Sequence, residues 1–211
     1  MPDKERPRPP SREEHPVVYI IDDDPSMRDA LADLFESVKI EAMCFDSTKS
    51  FLDGAGPERA GCLLLDVRLP GLSGLDFQTE LERMGNKMPI VFMTGHGDVP
   101  MSVKAMKAGA VDFLIKPFRD QDILDAVSAA LNKDAARRQE MAASGAVAAL
   151  AETLTPREKE VMAAVVKGMM NKQIAYELGI TEITVKLHRG NVMRKMQARS
   201  VADLVRKTEM L

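Results

Sequence analysis

From Val17 onward the chain alternates between two hydrophobic periods. Short continuous apolar runs occur at VVYII (17–21), IEAMC (40–44), CLLL (62–65), PIVFM (89–93) and VDFLI (111–115). Runs of this length predict strands, and their lack of alternation predicts burial on both faces. Between them stand stretches with a 3.6-residue period. In MRDALADLFESV, residues Met27, Leu31, Leu34, Phe35 and Val38 share one helical face. SGLDFQTELERM, DVPMSVKAMKAG and DQDILDAVSAAL follow the same rule, and a shorter helix is predicted near 47–53. Strands alternating with helices over 17–131 predict an α/β domain. Its five-stranded, doubly wound parallel sheet is covered on both faces and has right-handed crossovers.

The pattern then changes. Residues 132–151 are Ala-rich, with Ser144-Gly145 as the only break. They read either as a helical linker or as the last helix running on to pair with a second subunit as a short coiled coil. Over 152–211 every segment is helical. TPRE places Thr155 as N-cap, Pro156 at N1 and Glu158 three residues after the cap. EKEVMAAVVKG ends at Gly168 and NKQIAYELG at Gly179. A third helix opens after Thr181, and SVADLVRKTEML forms a fourth. Four small helices predict an all-α domain. The second and third, joined by a short Gly-containing turn, read as a helix-turn-helix. On the third, Ile183, Val192 and Met196 are expected to look inward, and Lys186, Arg189 and Arg194 outward.

Charge sharpens the division. Residues 17–131 hold 19 acids and 11 bases, whereas 152–211 hold 7 acids and 11 bases. The basic domain is the candidate for nucleic acid. Residues 1–16 are Pro-rich and charged and lack the apolar stretch of a signal peptide. They predict a disordered tail, and with it a cytoplasmic protein. No apolar run approaches the roughly 20 residues of a membrane span. Cys44 and Cys62 lie in apolar runs without a CxxC spacing and are expected to be reduced core residues.

In an open parallel sheet, ligands bind beyond the carboxyl ends of the strands. Asp22, Asp23 and Asp24 follow the first strand, Asp66 the third, Thr94 the fourth and Lys116 the fifth. Asp24, before Pro25, suits a helix N-cap better than a ligand. Three crowded carboxylates need a cation to stay ionised. Oxygen donors without His or Cys favour Mg²⁺. A carboxylate beside Mg²⁺ can accept a phosphoryl group, and Lys116 and Thr94 can hold its oxygens. Asp66, alone in mid-sheet, is the expected nucleophile. His96 is expected to be an accessible loop histidine rather than a phosphate carrier.

IIDDD, LLLDVRLPGLSG, MTGHGDV, KAGAVDF and IKPF together resemble the receiver domain of two-component response regulators. LTPREKEV, NKQIA and TEITVKLHRGNVMRKM resemble the LuxR-type helix-turn-helix, and the pair of domains resembles the NarL/FixJ family. The resemblance implies a flavodoxin-like strand order 2-1-3-4-5. It makes Asp66 the acceptor of a phosphoryl group from a histidine kinase. Mg²⁺ would be held by Asp66, by Asp23 directly, by Asp22 through water and by the Arg68 backbone carbonyl. It further implies a cis Lys116–Pro117 peptide and a Thr94–Phe113 switch that reshapes the 98–118 face.

On that reading the protein is not an enzyme but a phosphorylation-activated transcription regulator. Its partners would be double-stranded DNA, a second copy of itself on phosphorylation, and RNA polymerase. Lys186, Leu187 and Gly190 are expected to face bases, and Lys172, Thr184, His188, Arg189 and Arg194 phosphates. Two rivals stand beside it. One is an aspartyl phosphatase, weakened because Arg68 stands where the resemblance to such enzymes would want a second Asp. The other is a DNA-binding protein whose receiver serves only as a dimerisation platform.

Overall fold

The computed structural model of the protein describes residues 15–54, 59–95 and 99–211. The expected disordered tail, apart from His15 and Pro16, and the expected loop histidine His96 lie outside them. Two compact units are present, one running to Arg137 and the other from Arg138 to Leu211.

The first unit alternates strands and helices: β1 (Val17–Ile21), α1 (Pro25–Ser37), β2 (Glu41–Phe45), α2 (Thr48–Gly54), β3 (Gly61–Asp66), α3 (Gly74–Arg83), β4 (Ile90–Thr94), α4 (Val99–Lys107) and β5 (Asp112–Ile115). The helix α5 (Asp120–Glu152) then begins. All strand pairs are parallel, in the order β2-β1-β3-β4-β5. This is the flavodoxin-like order.

Successive residues of a strand point to opposite faces, and here both faces are covered. Tyr19, Leu63 and Phe92 join Phe51 and Phe77 in one core cluster. Ile20, Leu64 and Met93 join Phe35 and Ile123 in the other. The unbroken apolar runs therefore follow from two-sided burial. The edge strand β2 differs, since it has a neighbour on one side only. Cys62 of β3 is fully buried, but Cys44 of β2 is exposed. The expectation that both cysteines are core residues fails for Cys44.

Helix α5 continues without interruption through Ser144-Gly145 to Glu152. Its Asp134, 1% exposed, accepts a hydrogen bond from the Gly61 amide at the start of β3 (3.0 Å). Among the described residues no helix is long and apolar enough to cross a membrane.

The second unit adds α6 (Pro156–Val166), α7 (Asn171–Leu178), α8 (Glu182–Lys195) and α9 (Val201–Thr208). Helix α6 starts with a full capping box between Thr155 and Glu158. Gly179 ends α7 in the left-handed region, φ 64°, a conformation that costs a residue with a side chain. Thr181 caps α8. Val161, Val165, Ile174, Val185, Val192, Met196 and Leu204 form the core. Ile183 does not join it. It is 80% exposed, because Val185, two residues and about 200° of helix away, occupies the inward position. The inward assignment of Ile183 is corrected on that ground.

Candidate functional site

Sheet register builds the acidic rim. Ile21 pairs with Leu65 and Asp66 with Met93, so Asp22 and Thr94 emerge on either side of Asp66. Thr94 pairs with Ile115, and its carbonyl accepts the Lys116 amide at 2.8 Å. Four strand ends thus converge. Carboxylate oxygens of Asp22, Asp23 and Asp66 all lie within 4.8 Å of one another. Asp22 and Asp66 are buried and Asp23 is exposed, so the cluster opens to solvent on the Asp23 side. There Asp23 and Arg68 border an open depression of about 430 Å³, together with Pro70, Ser73 and Met101.

Local turns fix the Asp22, Asp24 and Asp66 carboxylates. The Asp24 side chain caps α1 by accepting from the Ser26 amide (2.9 Å). Its own amide donates to Asp22 Oδ1 at 3.0 Å. The Arg28 guanidinium donates to the Asp22 carbonyl (2.6 Å). Asp66 Oδ1 accepts from the Arg68 amide at 2.7 Å. Behind it α3 packs so closely that a Cβ on Gly74 would sit 2.5 Å from the Asp66 carbonyl oxygen. Only glycine fits there without moving the strand end.

Lys116, next to a cis Lys116–Pro117 peptide, bridges two of the acids. Its ammonium donates to Asp22 Oδ2 and Asp66 Oδ2, both at 2.6 Å. Burial pushes the Asp22 carboxyl above its ordinary value, and the bonds from Lys116 and the Asp24 amide pull it part of the way back. For Lys116, burial lowers the pKa, but its two carboxylate partners outweigh this and the net shift is upward. The site thus sets one ammonium among three carboxyl groups, whose remaining oxygens are left to hold a cation. Its all-oxygen donor set suits a hard divalent ion such as Mg²⁺. Phe113 stands half-buried in β5, its ring 6.3 Å from that of Phe92.

The second unit gathers the other expected residues. Lys186, Leu187, Gly190 and Arg194 are exposed on α8, and Lys172 is exposed on α7. Thr184 is used locally, its hydroxyl 2.9 Å from that of Thr181. Arg189 is half-buried and donates to Asn171 Oδ1 (3.0 Å). His188 is half-buried too, and its buried Nδ1 has no partner among the described residues. A Cβ on Gly190 would meet nothing within 4 Å, so packing within the unit does not require glycine there. Arg28, Gly74 and Asn171, which hold these groups in place, leave no signal in the sequence pattern.

Two known families match the chain. Residues 18–128 match the response regulator receiver domain, and residues 152–208 match the luxR family of bacterial regulatory proteins. Nodulation protein W of Bradyrhizobium diazoefficiens is 56% identical over 195 residues, covering 92% of this chain and 86% of that protein. The transcriptional regulatory protein FixJ of Azorhizobium caulinodans is 46% identical over 189 residues, covering 90% of each. Among solved structures, the response regulator StyR matches with a TM-score of 0.83 and 47% identity, over 93% of this chain and all of that one.

Proposed function

This chain belongs to the response regulators that join a receiver domain to a LuxR-type DNA-binding domain, and on that premise we propose how its residues carry the signal. The family is one of two-component transcription regulators, not enzymes. A histidine kinase delivers the phosphoryl group to the receiver. An Asp66 carboxylate oxygen attacks phosphorus, the bond to the kinase histidine breaks, and an acyl phosphate is left on Asp66. The observation that carries this assignment is the convergence of Asp22, Asp23 and Asp66, with the Lys116 ammonium bridging Asp22 and Asp66. Asp22, Asp23, Asp66 and the Arg68 carbonyl would hold Mg²⁺, which when bound neutralises the carboxylates and the incoming phosphoryl oxygens. Lys116 and the Thr94 hydroxyl take the remaining oxygens.

Once Asp66 carries up to two further negative charges, Thr94 turns toward them and Phe113 swings into the space it leaves. The face over 98–118 exposes Val103, Met106 and Ile115. It changes shape and pairs with a second copy. Two helix-turn-helix units then occupy a two-fold site on double-stranded DNA. Lys186, Leu187 and Gly190 face bases, and Lys172, Thr184, His188, Arg189 and Arg194 the backbone. RNA polymerase is the downstream partner and the cytoplasm the compartment. The receiver spans 17–131, and residues 132–151 connect it to the DNA-binding domain of 152–211.

Light scattering with and without beryllofluoride and Mg²⁺ tests the scheme. The expected result is a doubling of mass that Asp66→Asn abolishes. An unchanged mass, together with DNA affinity indifferent to phosphorylation, would favour the receiver as a fixed dimerisation platform.

A further inference from the structure

The inward positions of α8 are taken by Val185, Val192 and Met196, all essentially buried. Ile183 and Leu187 belong to another face. They are 80% and 63% exposed, and as an i, i+4 pair they lie one above the other. No core cluster of the described residues includes either one. Two large aliphatic side chains, adjacent on the first two turns of one helix, thus form a small exposed apolar ridge.

The surroundings identify the charge of a partner that fits it. Lys186 lies between the two on the same exposed side, Arg194 continues it, and Lys172 is exposed on α7. Glu182 is the only acid on α8. An apolar ridge flanked by ammonium and guanidinium groups matches a polyanion that also displays apolar groups. Duplex DNA does so in its major groove, where thymine alone presents a methyl group. The N-terminal residues of a recognition helix reach deepest into that groove, and Ile183 is the second residue of α8.

We propose that Ile183, together with Leu187, reads thymine methyl groups and so sets part of the operator preference. This rests on the DNA-binding reading of the second unit and adds a residue to it. Four residues of helix rise span about 6 Å, close to two base-pair steps at 3.4 Å. The ridge therefore selects two thymines about two steps apart in each half-site. Gly190, one turn further on, leaves the helix backbone uncovered beside them.

The test uses the full-length protein phosphorylated with acetyl phosphate and Mg²⁺. Duplexes are first selected from a random library. Each thymine of the selected site is then replaced singly by deoxyuridine, which removes only the methyl group. Affinity is read by fluorescence anisotropy. Wild type should lose about 3–10-fold at one or two positions per half-site, the scale of one or two buried methyl-sized groups. Ile183→Ala should bind the thymine duplex more weakly, keep the wild-type salt slope, and no longer distinguish thymine from uracil at one of those positions. Ile183→Val should fall between. Matched thermal unfolding shows that the variants fold.

Methyl sensitivity preserved in Ile183→Ala would overturn the proposal. So would wild-type indifference to every methyl group. Unchanged DNA binding by Ile183→Ala with a loss of transcription would assign the ridge to a protein partner instead. Failure to enrich any duplex would sink the DNA-binding reading itself, whereas enrichment without methyl dependence sinks only the ridge.

Discussion

Replacing Lys116 with Met keeps most of the aliphatic stem and removes the ammonium that bridges Asp22 and Asp66 at 2.6 Å each. What remains is a cluster of carboxylates within 4.8 Å, with the Asp22 side chain 1% exposed. Two unit charges at that separation repel by about 3.5 kcal/mol at an effective dielectric near 20. Breaking a buried pair by removing one partner costs about 3–5 kcal/mol. The metal-free variant should therefore lose about 3–5 kcal/mol at neutral pH.

The pH dependence has a definite sign. Burial already raises Asp22 above 3.8, and Lys116 works to lower it, so its loss lifts Asp22 further. A carboxyl raised in the folded state stabilises the fold below its unfolded pKa and loses that contribution as pH rises through the folded value. The deficit should thus be largest at neutral pH and shrink as the pH is lowered toward the ordinary carboxyl value of 3.8. Freed from ammonium competition, the variant should also gain more from about 10 mM Mg²⁺ than wild type does. The assay is urea unfolding followed by circular dichroism, with the receiver transition tracked at both pH values, with and without Mg²⁺. A variant as stable as wild type at neutral pH without metal would refute the electrostatic account. So would a deficit that ignores both pH and Mg²⁺.

Gly74→Ala should drive a Cβ toward the Asp66 carbonyl and cost about 1–3 kcal/mol. It should also slow labelling of Asp66 by acetyl phosphate, and wild-type labelling would show that the strand end gives way freely. Phe113→Ala should label normally but fail to dimerise with beryllofluoride; dimerisation at wild-type level would remove Phe113 from the switch. Glu158 is held down to about 2, first by its bond from Lys195 and then by the Thr155 amide. Its contribution is present above 4.5 and is lost as pH falls from there toward about 2. Glu158→Ala should destabilise the second unit by about 2–3 kcal/mol in calorimetry at neutral pH, and Glu158→Gln, which keeps a capping-box residue, by less. Gly190→Ala should stabilise that unit by up to about 1 kcal/mol, because nothing in the fold opposes the methyl group; a drop in its melting temperature would contradict this.

What the chain reveals by pattern is set by which interactions are local. Strands β1, β3 and β4 are buried along their whole length, so their continuous apolar runs could be read directly. Once a parallel sheet is granted, the ends of those strands share a rim. That is why the sequence alone groups Asp22, Asp66, Thr94 and Lys116. Contacts across long sequence distances leave no such trace. Nothing in the Ala-rich stretch marks Asp134, yet it is buried against the Gly61 amide 73 residues away. Gly74 stands in the helical stretch SGLDFQTELERM with nothing to mark it, yet it is needed because α3 presses on the Asp66 carbonyl. A five-residue apolar run does not reveal that β2 lies at the edge, which is why the expectation for Cys44 fails.

Ile183 exposes a different limit. Amphipathic reading assigns every apolar residue to the core, which holds only while the core is the sole apolar environment available to the chain. On α8 the rule works for Val185, Val192 and Met196, where packing decides, and fails for Ile183 and Leu187, where it does not. Leu187 was recovered only because the helix-turn-helix resemblance turned it toward bases, and nothing comparable corrected Ile183. Positions where a local rule breaks without local compensation are where a sequence records an external partner. The acidic rim obeys the same logic, since three crowded carboxylates are unfavourable for folding alone. Both ends of this chain therefore carry groups that the fold by itself would not select: carboxylates that want a cation and a phosphoryl group, and aliphatic side chains that want a methyl-lined groove.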